Sequence, residues 1–388
     1  MNIDRIVAAP LKPGCALDRA TSQRGKAPDI SDSGNAFGRH REFTGHGSYH
    51  DLPWPPLVCL AFADDGTWGM GMTDLAAPVV PVINDMFAPL LVGNNALATE
   101  RMWDLMVRQT GIHGGGGIAG RAISAIDLAL WDLKGKLLRR PVYELMGGPV
   151  RDRIFCYGTG YDIDWILECG FQALKVTAPF AEARGIEAIM EIEATVARAR
   201  DKLGDHKELM LDCWAVSEVD FMVRLAERLR PYHLKWLEDF LFPEDMEGFE
   251  EMRRRVPWQS LATGERWYSH LSFGEAGAKR LVDIFQPDIR WVGGLTACQK
   301  IGHIADGAGL QVSLHGGMND AFGQHATQGM IACTWGEFLV DSGRDVPLEE
   351  GWRPTPGMAV PKNGWLVPSE APGFGIELGL DDIDAMTA

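Results

Sequence analysis

Between residues 151 and 342, short apolar runs alternate with amphipathic helical stretches, and this alternation restricts the possible folds more than any other feature of the chain. Strands are expected near "IFCYGTG" (154–160), "ALKVT" (173–177), "ELMLD" (208–212), "LKWLE" (234–238), "SLATGE" (260–265), "VDIFQPD" (282–288), "LQVSLH" (310–315) and "EFLVD" (337–341). Each run has the length of a strand buried on both faces, and helical spacing fills most of the intervals. Alternating β and α implies a parallel sheet, and eight such units imply a closed barrel in the α/β class.

The polar residues in these runs follow a second regularity. The third ends at Asp212, the fourth at Glu238, the fifth at Glu265, the sixth at Asp288 and the seventh at His315, while the eighth carries Glu337. Each follows the last after roughly 25 residues, about one βα unit of a barrel of about 250. Taken singly, an acid after a strand is most often a helix N-cap or a turn former. Six in succession at one level point to the C-terminal mouth of a barrel, where barrel enzymes keep their sites. Asp212, Glu238 and Glu265 would repel one another without a cation, and all-oxygen ligation suits a hard ion, Mg²⁺ first. Asp288 beside His315 would fix the imidazole tautomer and raise its basicity, which makes His315 a candidate general base. Glu337, if desolvation keeps it protonated, can donate a proton or a hydrogen bond.

The rest of the chain reads differently. In residues 1–150, "LVCLAFADDGTWGMG" (57–71) has the pattern strand, turn, strand, and "TERMWDLMVRQTG" and "AGRAISAIDLALWDLKGKLLRR" have helical spacing. Residues 16–53 form a long polar segment, and residues 343–388, rich in Pro and Gly, are expected to pack back onto the first unit. A length of 388 residues itself implies more than one core. The net charge of -16 argues against nucleic acid or an anionic membrane as partner. Seven cysteines without a CxxC pair suggest neither a disulfide framework nor a thiolate zinc site. No signal peptide and no apolar run of about 20 residues is visible, so a cytoplasmic protein is expected.

With these residues in place, the chain resembles the enolase superfamily in its mandelate racemase branch, and is most similar to acid-sugar dehydratases of the L-rhamnonate dehydratase type. The resemblance rests on "AISAIDLALWDLKGKLLRRPVYELMGG" (122–148), "LMLDCW" (209–214), "LKWLEDF" (234–240), "TGERWYS" (263–269), "VDIFQPDIRWVGGLTACQKI" (282–301), "SLHGG" (313–317), "GEFL" (336–339) and "PGFGIEL" (372–378). It implies a modified (β/α)₇β TIM barrel at 151–342 and an α+β capping domain at 1–150 that carries a lid loop and is joined by the segment 343–388. It also implies roles: Asp212, Glu238 and Glu265 as Mg²⁺ ligands, Asp288 and His315 as the base dyad, and Glu337 as the acid that hydrogen-bonds the substrate carboxylate. The shared chemistry is removal of the proton beside a carboxylate to give an enediolate that the cation stabilises.

Departures from the family pattern narrow the reaction. Relatives that racemise carry Lys-x-Lys at the end of the second strand, whereas this chain has Lys175 followed by Val176 and Thr177. One base favours proton removal followed by loss of the β-hydroxyl, giving a 2-keto-3-deoxy acid, with L-rhamnonate or L-lyxonate as the type of substrate. Lys175 is either catalytic or a structural partner of the carboxylates. Trp214 stands where relatives often have Asn, and it either packs under a loop or contacts substrate. In "GRHREFTGHGSYH" (38–50), Arg39, His46 and His50 are candidate substrate contacts, if the segment is a lid and not simply a solvated loop. A symmetric homo-oligomer, from dimer to octamer, is implied as well. The alternatives are a racemase, epimerase or cycloisomerase on the same scaffold, and a catalytically silent sugar-acid binding protein.

Overall fold

The computed structural model describes residues 1–17, 53–178, 184–214, 218–340, 342–344, 346–351 and 355–387. Three antiparallel strands, β1 (Ile3–Pro10), β2 (Leu57–Ala63) and β3 (Trp68–Thr73), form one sheet in the order β1-β2-β3. The β2–β3 hairpin turns at Gly66 (φ 85°), and Asp65 accepts the Thr67 amide at 2.9 Å. The helix Ile118–Leu138 lies directly on β3. A Cβ on Gly71 would stand 2.0 Å from the Ala125 carbonyl oxygen, so only glycine permits that approach.

Eight parallel strands follow: β4 (Ile154–Thr159), β5 (Ala173–Thr177), β6 (Glu208–Asp212), β7 (Leu237–Glu238), β8 (Leu261–Thr263), β9 (Ile284–Phe285), β10 (Gln311–Val312) and β11 (Trp335–Leu339). Their order runs β10-β9-β8-β7-β6-β5-β4-β11, and a parallel bridge between Val312 and Cys333 joins the two ends. One main helix fills each interval: Ile163–Glu168, Ile186–Leu203, Val219–Leu229, Met246–Arg255, His270–Lys279, Gly294–Ala308 and Ala321–Gly329. Seven βα units and a last strand make the expected (β/α)₇β barrel. A short strand β12 (Trp365–Leu366) then pairs antiparallel with β4.

The strand period of two sets what the barrel contains. Tyr157, Ala173, Met210, Trp236, Ala262 and Ile284 pack into a buried cluster at the barrel's centre, with Phe155 and Trp335 against it. Two residues further along the same strands come Thr159, Lys175, Asp212, Glu238 and Glu337, all buried. An apolar floor therefore carries a polar layer toward the C-terminal mouth. The ladders at β8, β9 and β10 are shorter than expected from the sequence. Glu265, Asp288 and His315 lie two or three residues beyond the last paired residue, on the loops of the mouth.

The first sheet and its helices dock on the barrel through buried polar bonds. Asp127 accepts the Thr296 amide (2.9 Å) and hydroxyl (2.6 Å), the Trp103 indole donates to the Gly293 carbonyl (2.8 Å), and the Gly293 amide donates to Ser124 Oγ (2.9 Å). The C-terminal segment returns to the same unit, where the Phe374 amide donates to Asp132 at 2.9 Å. No helix among the described residues is long and apolar enough to cross a membrane, and all seven cysteines are free.

His325 lies fully buried at this joint, its ring against Tyr143 and Phe374 and neither ring nitrogen hydrogen-bonded. Burial pushes its imidazole down to about 3 from 6.5. The unfolded chain thus takes up a proton near pH 6.5 that the folded one refuses, so stability present above that pH is lost as pH falls toward 3. Between pH 7.5 and 5.0 the loss from this residue comes to about 2 kcal/mol. Urea unfolding of wild type and His325→Leu at both pH values checks this: the variant should lose about 2 kcal/mol less, and equal losses would contradict it.

Candidate active site

The polar layer centres on Lys175. Its ammonium, only 1% exposed, contacts Glu238 Oε1, lies 2.7 Å from Glu337 Oε1 and stands 3.5 Å from Asp212 Oδ2. Burial alone would lower its pKa, but Glu238, Glu337 and Asp212 outweigh it and hold it well above the ordinary lysine value. Lys175 is therefore held as a cation among the three carboxylates.

Glu337 differs from expectation. Thr159 Oγ1 (2.7 Å), Lys175 and the Gly316 amide (2.9 Å) all donate to its carboxylate. Burial would raise its pKa, yet Lys175 and His315 more than cancel that, and the group sits below the usual value. It is ionised, because three donors converge where the sequence reading foresaw only desolvation.

Asp212, at the end of β6, accepts the Trp214 amide at 3.0 Å. Burial pushes it up to about 7, against Lys175 and with the repulsion of Glu238 and Glu265. Glu238, at the end of β7, accepts from Trp236 Nε1 (2.8 Å) and Gln286 Nε2 (2.7 Å), and burial likewise carries it up to about 7 against Lys175. Glu265 meets Arg266 Nη2 at 2.8 Å and His315 Nε2 at 3.2 Å. Among the described residues no three acidic, histidine or cysteine side chains are gathered closely enough to hold a metal ion. The donor chemistry nevertheless fits a hard cation: three carboxylates from consecutive βα units, all oxygen, two of them raised chiefly by burial.

The dyad forms as expected. His315 Nδ1 stands 2.8 Å from Asp288 Oδ2, and the Arg290 amide holds Asp288 Oδ1 at 2.7 Å. Burial would lower the imidazole, but Glu265 and Asp288 raise it to about 10. Nδ1 is engaged with Asp288, so Nε2 is the nitrogen turned toward Glu265 and the carboxylate cluster.

Trp214 is half-buried just beyond β6, with a φ of 58° that a bulky aromatic adopts only under constraint. Arg39, His46 and His50 lie outside the described residues. Several groups of the site had no role in the sequence reading. Asp239 is buried after Glu238, held by Thr263 Oγ1 (2.7 Å) and Arg266 Nη1 (3.1 Å), so Arg266 bridges it to Glu265. Gln286 ties the loop after β9 to Glu238. Trp291 packs against the His315 ring, centroids 5.2 Å apart. Arg266 and Trp291 stand beside Glu265 and Asp288 in the motifs "TGERWYS" and "QPDIRWVGG", which was the available signal.

Comparisons with known proteins agree with this fold. Residues 164–383 match the enolase C-terminal domain-like family model, and residues 47–147 match the mandelate racemase / muconate lactonizing enzyme N-terminal domain. An L-rhamnonate dehydratase of Saccharopolyspora erythraea is 34% identical over 363 residues, covering 93% of this chain and 90% of that protein. The crystal structure of rhamnonate dehydratase from Gibberella zeae complexed with Mg is 25% identical, with a TM-score of 0.89 over 100% of this chain and 96% of that one. A 3,6-anhydro-D-galactonate cycloisomerase from Zobellia galactanivorans is also 25% identical, with a TM-score of 0.76 over 100% of both chains.

Proposed function

The chain belongs to the enolase superfamily, in its mandelate racemase / muconate lactonizing enzyme family, and from that premise we propose that it is a Mg²⁺-dependent acid-sugar dehydratase, a hydro-lyase acting on an aldonate such as L-rhamnonate or L-lyxonate. The carrying observation is the single base. Among the described residues His315 is the one imidazole set against the carboxylate cluster, while Lys175 is locked between Glu238 and Glu337 and position 177 is Thr. A racemase of this family type needs a base on each face of the carbon. One base suits elimination.

Asp212, Glu238 and Glu265 are the residues that would hold Mg²⁺. When bound, the ion would supply positive charge to the carboxylate cluster and to the substrate carboxylate, where negative charge develops. The remaining steps belong to the chain. Asp288 fixes the His315 tautomer, and with the charge of Glu265 taken up by Mg²⁺ the largest of the influences that hold the imidazole protonated would be removed, leaving Nε2 free to take the C2 proton. The C2–H electron pair forms the C2–C3 double bond as the C3–O bond breaks. His315 returns the proton to the departing hydroxyl, which leaves as water, and the enol tautomerises to the 2-keto-3-deoxy acid. Glu337, held below the usual carboxylate value by Lys175 and His315, anchors Lys175 and the Gly316 amide within the polar layer.

The division into a capping unit at 1–150, a barrel at 151–342 and a returning segment at 343–388 belongs to the same proposal, as do a cytoplasmic location and a homo-oligomer. Supporting the division are the three-stranded sheet, the closed set of parallel strands and the contact of Phe374 with Asp132; the seven free cysteines suit the location, and the oligomer rests on the family alone.

A panel of aldonates incubated with enzyme and Mg²⁺ tests the function. At least one member should yield a 2-keto acid, EDTA should abolish the yield and added Mg²⁺ should restore it. Exchange of the C2 proton with D₂O across the panel, without keto acid, would overturn dehydration in favour of an epimerase.

A further inference from the structure

Asp288 at Nδ1 (2.8 Å) and Glu265 at Nε2 (3.2 Å) hold the two nitrogens of the His315 imidazole but leave its ring able to turn about the line between them. The plane needs a contact on the ring face, and the Trp291 indole provides it, tilted 45° with centroids 5.2 Å apart. What holds Trp291 lies outside the barrel. Asp74, directly after β3, accepts Trp291 Nε1 on Oδ2 (3.1 Å) and Arg290 Nη2 on Oδ1 (2.8 Å). Arg121, on the helix Ile118–Leu138, reaches the same Asp74 Oδ2 at 3.2 Å and lies 4.3 Å over the Trp291 ring. Thr73 Oγ1 donates to the Arg290 carbonyl at 2.7 Å, and a Cβ on Gly120 would meet the Trp291 carbonyl at 2.8 Å. The first sheet and its helix therefore clasp the loop that carries Asp288, through one carboxylate that receives donors from Trp291, Arg290 and Arg121.

We propose that Asp74 is a positioning residue for the reaction: it fixes Trp291 against His315 and so sets the plane of the base relative to the substrate's C2. This rests on the proposed dehydration. A misplacement of about 1 Å at the reacting atoms costs on the order of 10²-fold in rate, so a base whose ring is free to turn is slow even with every reacting group present.

The experiment compares Asp74→Ala, Asp74→Asn and Trp291→Phe with wild type, using L-rhamnonate and L-rhamnonate deuterated at C2 with Mg²⁺. Asp74→Ala should lower kcat about 10²-fold with little change in KM, and its deuterium isotope effect on kcat should rise because proton removal becomes limiting. Asp74→Asn keeps an acceptor for the Trp291 indole and should recover most of kcat. Trp291→Phe keeps a ring on His315 and should lose less than Asp74→Ala. A purely structural clasp predicts a lower melting temperature with kcat and isotope effect unchanged, and that result overturns the proposal. Crystal structures of the variants give a substrate-free arm: the His315 ring should turn about the line between its nitrogens in Asp74→Ala, and an unmoved ring overturns the proposal. If wild type dehydrates no aldonate, the functional reading fails, while the ring orientation still decides the positioning role.

Discussion

Asn in place of His315 lowers kcat on the aldonate that the wild type dehydrates by about 10³-fold, within the range that one positioned base contributes. Asn keeps a polar group near Asp288 but has no basic nitrogen in place of Nε2, the atom that faces Glu265 at 3.2 Å. Lys175 cannot substitute, because its proton is held by three carboxylates. Exchange of the C2 proton with D₂O should disappear together with turnover, since both need the same proton transfer. Steady-state kinetics and exchange on one preparation check this, and retention of most turnover would remove His315 from its role.

Replacing Lys175 by Met is the second large effect, and it falls on stability. In wild type one buried ammonium neutralises Glu238, Glu337 and Asp212. Met fills similar volume but leaves three carboxylates facing one another, and removal of one partner from such a buried set costs about 3–5 kcal/mol. The cost depends on pH with a definite sign. Glu238 and Asp212 already reach about 7 with Lys175 present, and without it both rise further. A folded-state carboxyl raised above its unfolded value gains stability as pH falls, so the deficit of Lys175→Met shrinks from pH 8 toward pH 6. Urea unfolding of metal-free protein at the two pH values measures it, and a deficit below about 1 kcal/mol at pH 8 would mean that the ammonium is not the keystone described here.

The sequence carried the barrel because barrel strands buried on both faces leave a continuous apolar signature, and "LMLDCW" is the clearest instance. Leu209, Met210 and Leu211 are buried, and Asp212 arrives at the inward position two residues after Met210. The same period placed Glu238 and Glu337 in the polar layer. Glu265, Asp288 and His315 were legible as site residues but not as loop residues, since apolar patterning continues past the last ladder bond. The charge state of Glu337 was not legible. It depends on Lys175 crossing from β5 to meet β7 and β11, a convergence that exists only in three dimensions. The Asp74 clasp was hidden for the same reason, because its partners lie 47 and 216 or more residues away. His325 is concealed more deeply: nothing in "AFGQHATQG" separates a buried, unpaired imidazole from a surface one.

One-base elimination at C2 can be followed by proton NMR of L-rhamnonate with enzyme and Mg²⁺ in D₂O. It predicts loss of the C2 proton signal in step with the appearance of a 2-keto-3-deoxy acid, both absent with His315→Asn. Deuterium entering C2 of an otherwise intact aldonate, with inversion at that carbon and no keto acid, would contradict it.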